Sequence, residues 1–171
     1  RENNAGNAHS GTYSQLLTWS TASTDPSGGG GRFSAMEDVT VGKVYTCSVW
    51  VRSSTARKIR LNVNYFGSAG GTGAFVGSKS GTYVDVPANT WTRLTIQTDA
   101  IPSGAVSLRL DISAGSAAGG NANFAIGDTM RIDDVMVTEG TVLYDFFSGD
   151  TNGGAWTGTA NASASTKMLP V

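Results

Sequence analysis

One cysteine and one histidine in 171 residues leave little for metal or redox chemistry. Cys47 has no partner for an intrachain disulfide and no second thiol for a cysteine metal cluster. It alternates with apolar neighbours, so we expect a small buried hydrophobe and not a reactive thiol. His9 lies in a polar N-terminal stretch, where the expectation is a solvated terminal residue. A Ser-His-Asp triad through it is therefore disfavoured. Charge is also scarce. Only 15% of residues are charged, and the net charge is -1. Without a basic excess there is no electrostatic footprint for nucleic acid or an anionic membrane surface. No apolar run approaches the length of a membrane span, so no membrane insertion is expected. Helical periodicity is nearly absent.

What the sequence has is glycine, 23 residues of it, in stretches that alternate with Val/Ile/Leu-rich runs. This is the pattern of loops between strands, not of disorder. The length suits one domain, with a core from the 39% of residues that are hydrophobic. The polar opening, residues 1–9, is no signal peptide. Its abrupt start leads us to expect a piece of a longer chain.

Period-two runs predict strands at 12–18, 32–41, 44–53, 58–66, 83–86, 91–98, 106–113 and 129–138. In 44–53, Tyr45, Cys47, Val49 and Val51 share one face, and Thr46, Ser48, Trp50 and Arg52 the other. In 58–66, Ile59, Leu61, Val63 and Tyr65 point inward, and Arg60, Asn62, Asn64 and Phe66 outward. Leu94 and Ile96, then Leu108, Leu110 and Ile112, continue the core. Gly28 to Gly31, which follow Asp25-Pro26, cannot hold a regular strand, and they lack the lysine of a phosphate loop. Residues 67–81 read as a flexible region with a hairpin around Ala74-Phe75-Val76. About eight or nine strands predict an all-β, two-sheet antiparallel β-sandwich of the jelly-roll kind. We assign residues 1–143 to that domain. Residues 144–171 read as an irregular strap pinned by aromatics, or as a connector.

Two constellations carry chemistry. The first is Trp50, Arg52, Asn62, Asn64, Phe66, Arg109 and Asp111. If their strands neighbour each other in one sheet, these outward groups converge. An exposed aromatic stacks on the C–H face of a sugar, while Asn, Asp and Arg hydrogen-bond its hydroxyls. The competing reading is an ordinary solvated face with Trp50 packed under a loop. The second constellation is Asp133-Asp134. One of two consecutive acids in a strand must point inward, and a buried carboxylate needs a partner. Calcium is one solution; hydrogen bonds to backbone amides or to Arg131 are the other. No spacing singles out a catalytic pair of carboxylates, so we expect no enzyme.

The strings Val44-Tyr45-Thr46-Cys47-Ser48-Val49-Trp50-Val51-Arg52, Trp91-Thr92-Arg93-Leu94, Val106-Ser107-Leu108-Arg109-Leu110 and Arg131-Ile132-Asp133-Asp134-Val135 resemble a jelly-roll carbohydrate-binding module of the type appended to xylanases and cellulases. Gly149-Asp150-Thr151 and Trp156-Thr157-Gly158-Thr159 resemble the end of such modules in minor tail proteins of phages infecting Gram-positive bacteria. The resemblance implies a concave saccharide-binding face with Trp50, Arg109 and Asp111. It also implies a structural Ca2+ on Asp133 or Asp134, helped by the segment with Glu37 and Asp38. Only a short polar stretch precedes Gly11, where such modules usually place an Asn- and Phe-containing strand. Ser148 stands where the phage-type tail usually has aspartate. The implied role is a non-catalytic module of the virion tail, with host cell-surface polysaccharide and other tail proteins as partners. The alternatives are a structural assembly domain of the virion without sugar binding, and the binding module of a secreted, extracellular polysaccharide-degrading enzyme.

Overall fold

Two antiparallel sheets packed face to face hold nine of the eleven strands among the described residues. The structure, a computed structural model, describes residues 2–22, 39–114, 124–151, 153–159 and 165–167. Among these, the strands are β1 (Glu2–Asn3), β2 (Tyr13–Thr18), β3 (Tyr45–Ser53), β4 (Arg57–Ser68), β5 (Thr72–Ser80), β6 (Val84–Val86), β7 (Thr92–Gln97), β8 (Ser107–Ser113), β9 (Thr129–Glu139), β10 (Gly154–Trp156) and β11 (Ser165–Lys167). The five-stranded sheet has the order β1-β2-β9-β3-β7. The four-stranded sheet is built on β4. β8 pairs along one edge, and β5 and then β6 follow the other, continued by Gly81, whose N–H donates to Leu61 O. A β10–β11 hairpin stands apart. The molecule is a jelly-roll β-sandwich.

The core lies where the alternation places it. Tyr45, Cys47, Val49 and Val51 of β3 meet Ile59, Leu61, Val63 and Tyr65 of β4. Leu94, Ile96, Leu108, Leu110, Ile112, Met130 and Ile132 complete the layer, all nearly inaccessible. Each such side chain contributes about 1.5–3 kcal/mol of transfer free energy, which offsets the chain entropy lost in ordering the strands. Burial pushes the Cys47 thiol up to about 12, so it packs as a hydrophobe. At one end, buried Arg57 pairs with Asp128 and lies 3.8 Å over the Phe124 ring. Phe124 in turn stacks on Trp19 at 4.0 Å. A buried guanidinium needs such partners, and this stack ties the loop before β9 to the start of β4.

Two local expectations change. Residues 72–80 are the strand β5, and the turn sits earlier, at Ala69–Gly71. Most of the strand expected at 32–41 lies outside the described residues. Of its end, Val39 is not in a strand; its side chain is buried and its N–H donates to Val106 O.

The consecutive acids are resolved by a β-bulge. Ser48 pairs with Met136 and Trp50 with Asp133, so three steps along β9 match two along β3. The extra residue is absorbed at Asp134, whose φ is +47°. Aspartate tolerates this left-handed conformation better than most residues. The bulge also switches the parity of β9. Before it the even residues Met130 and Ile132 face the core; after it Val137, paired with Cys47, packs against the core.

Candidate functional site

The sandwich has two outer faces, and the structure divides the first predicted constellation between them. Trp50 and Arg52 belong to β3, in the five-stranded sheet. Asn62, Asn64 and Phe66 belong to β4, and Arg109 and Asp111 to β8, in the four-stranded sheet. Sheet pairing decides this, because β4 joins β8 and not β3. The expected convergence of all seven residues is therefore corrected to five.

Those five form a continuous row. Asn62 pairs with Asp111, Asn64 with Arg109, and Phe66 with Ser107 across β4 and β8. Asn64 Nδ2 donates to Asp111 Oδ2, and the Arg109 guanidinium donates to both Asp111 oxygens at 3.2 and 3.3 Å. Asn62 Nδ2 donates to Ser113 Oγ at 2.7 Å. Its Oδ1 is buried and accepts from no group among the described residues. Such an orphaned acceptor is costly unless a water or a ligand hydroxyl supplies the proton. From Arg60 to Phe66 the row runs about 20 Å. At one end Arg60 lies 4.8 Å over the Tyr83 ring.

At the other end Phe66 is only 9% exposed, beneath the Arg109 guanidinium at 4.6 Å and the edge of Phe75. Phe66 thus points outward but offers no free ring face. Phe75, at 62% exposure, is the available aromatic. Sequence reasoning missed it, because residues 74–76 read as a hairpin. The signal was there in a Thr72-to-Ser80 stretch long enough for a strand.

The outer face of the five-stranded sheet is built differently. The N-terminal segment folds over it, and the two acids at the bulge hold it down. His9 N–H and Ser10 N–H donate to Asp133 Oδ2, at 2.7 and 3.3 Å. Ser10 Oγ donates to Asp134 Oδ1, and His9 Nδ1 donates to Asp134 Oδ2 at 2.6 Å. A carboxylate oxygen accepts, so Nδ1 carries the proton in this pair. His9 then stacks on Trp50, centroids 3.8 Å apart, with Trp91 edge-on at 5.7 Å. Trp50 is partly covered, and His9, though exposed as expected, is held by its ring and backbone rather than free. Arg52 donates to Asn89 O, and Arg131 pairs with Glu2 and not with the acids.

Calcium does not fit this arrangement. Every oxygen of Asp133 and Asp134 faces an N–H or O–H donor, the remaining one being Asp133 Oδ1, which accepts from Asp134 N–H at 2.9 Å. A calcium ion needs six to eight oxygen ligands. Among the described residues no group of three or more acids, histidines or cysteines is placed to hold a metal ion. Glu37 and Asp38 lie outside the described residues. Burial raises the Asp133 pKa above the ordinary carboxylate value, and the backbone donors oppose that rise.

From Thr141 to Tyr144 the chain leaves β9 alongside β7. Arg93 of β7 donates to Tyr144 O, and Gln97 Nε2 donates to Thr141 O at 3.3 Å. The C-terminal strap and the N-terminal segment flank an open groove of about 620 Å³.

No protein-family model matches the chain, and no characterised protein sequence matches it significantly. Solved structures do share its fold. The enzymatically active domain of tailspike protein 4 from bacteriophage CBA120 superposes with a TM-score of 0.52 at 18% identity. That match covers 81% of this chain and 17% of the tailspike chain. TmCBM61, solved with beta-1,4-galactotriose, gives 0.51 at 18% identity over 81% of this chain and 79% of its own. The CBM22-1 xylan-binding domain of Paenibacillus barcinonensis Xyn10C gives 0.52 at 16% identity, covering 80% and 78%. At these identities the likeness establishes the sandwich fold.

Proposed function

We propose that the chain is a non-catalytic carbohydrate-binding module of a phage tail or tail-tip protein, and that it binds host cell-surface polysaccharide. The binding surface is the open outer face of the four-stranded sheet. The observation that carries this is the row Asn62, Asn64, Arg109 and Asp111, with a buried unfilled acceptor on Asn62, beside the exposed ring of Phe75. Hydroxyl-bonding groups next to an apolar ring suit the two-sided chemistry of a sugar. Carbohydrate-binding modules among the fold neighbours support the ligand class. A tailspike domain among them, together with the resemblance of residues 149–159 to phage tail modules, supports the location. Asp111 is engaged by Asn64 and Arg109, Asp85 by Lys58, and the consecutive acids Asp133 and Asp134 belong to the other sheet, which supports a non-catalytic reading of the described face.

One observation favours a second reading, a virion assembly domain without sugar binding. Trp50, the tryptophan expected to stack on sugar, is covered by His9. A glycan array with a multivalent display of the domain separates the two. The binding reading predicts signal that is lost in Asn64→Ala/Asp111→Ala. Silence from the folded, multivalent wild type supports the assembly reading. Weak single-site affinity is compatible with function, since many copies on one particle multiply it.

A further inference from the structure

A second place on the molecule has the makings of a ligand site, on the opposite side of the sandwich. It is the groove between the N-terminal segment and the C-terminal strap. Its volume, about 620 Å³, lies within the usual range for small-ligand sites. Three aromatic side chains line it, Tyr13, Phe146 and Trp156, together with Asp133, Asp150 and the Thr12 hydroxyl.

Trp156 is held in place from several directions. Its Nε1–H donates to Asp150 Oδ1 at 3.0 Å. Its backbone is in β10, paired with β11. The indole rests directly on the backbone of Gly149, where a Cβ would overlap the ring. Only glycine leaves room for this seat. Trp156 nevertheless stays partly exposed on the groove wall. A bulky ring immobilised before any ligand arrives loses little entropy on binding. That is what a stacking platform requires.

Among the described residues, the lining holds three carboxylates and no lysine, arginine or histidine. An acidic ligand would meet repulsion from these carboxylates, whereas a neutral sugar hydroxyl can donate to the Asp150 carboxylate beside the indole. We propose that this groove is a second saccharide site, with Trp156 as its stacking platform, selective for sugars without acidic substituents. It stands on separate residues from the open face and does not require that face to bind.

The test uses the intact chain with oligosaccharides of glucose, xylose, galactose and mannose, and oligogalacturonate as the acidic probe. The Trp156 indole N–H resonance, assigned with Trp156→Phe, is followed by NMR. A neutral probe should move it, and oligogalacturonate should not. Trp156→Ala should weaken binding at this site at least ten-fold. Gly149→Ala should do the same while keeping the indole, which separates platform placement from simple loss of a ring. The shift should persist in Asn64→Ala/Asp111→Ala, so the inference survives even if the open-face reading fails. If neutral probes move only the Asn62 and Asn64 amides, the inference is overturned and the open-face reading stands. Absence of any shift across the panel also overturns it, as does a stronger response to oligogalacturonate.

Discussion

The two outer faces of this sandwich begin from the same sequence pattern and end in opposite states. Both come from strands that alternate apolar and polar residues. On the five-stranded sheet, Asp133 and Asp134 recruit the N-terminal segment, and His9 closes over Trp50. On the four-stranded sheet, Asn64, Arg109 and Asp111 bond to one another, Asn62 bonds to Ser113, and the partly buried row lies beside the exposed ring of Phe75. The difference lies in where the hydrogen-bond capacity goes. Carboxylates at a bulge capture a distant segment, while a regular row of amides and a guanidinium largely satisfies itself and keeps some capacity for an outside partner.

The largest effect that would break this comparison is Asp134→Ala. It removes the acceptor of both His9 and Ser10 and puts alanine at φ +47°. We expect a loss of about 2–4 kcal/mol in urea unfolding. Asp134→Gly should be milder, because glycine accepts the backbone conformation. Trp50→Ala should cost about 1–2 kcal/mol through the lost stack with His9. On the open face, Asn64→Ala should change stability by less than about 1 kcal/mol, since little is packed on it. Equal losses at Asp134 and Asn64 would erase the distinction between the faces.

A subtler contrast comes from pH. The Asp133 pKa is raised in the folded chain, so folded molecules bind its proton more readily than unfolded ones. Stability from this group is therefore greatest below its unfolded pKa and falls as pH rises through the folded value. Thermal melts from neutral pH toward pH ~4 should show wild type gaining on Asp133→Asn. A parallel course for the two would contradict the buried setting of this carboxylate. The smallest expected effect is that of a calcium chelator, which should leave the melting temperature unchanged; a clear drop would restore the ion.

How much of this was legible follows from the range of each interaction. The inward sets Tyr45–Val51, Ile59–Tyr65 and Leu108–Ile112 were readable, because alternation is local. Sheet membership was not, because β3 finds β7 and β9 whereas β4 finds β8, pairings across dozens of residues. That is why Trp50 was grouped with Asn62. The oddity of two consecutive acids was visible, and so was hydrogen bonding to backbone amides as one solution. The bulge that resolves it was not, nor was the donor segment around His9, which lies more than 120 residues away. Trp156 and Gly149 belong to separate motifs in the sequence, and only the folded strap stacks one on the other.

The central claim, that saccharide binds the open face of the four-stranded sheet, is tested most directly by calorimetry with a glycan positive on the array. Asn64→Ala/Asp111→Ala should lose at least ten-fold in affinity, and Trp50→Ala, once shown to be folded, should bind as wild type does. Loss of binding in Trp50→Ala with retention in Asn64→Ala/Asp111→Ala would contradict the account.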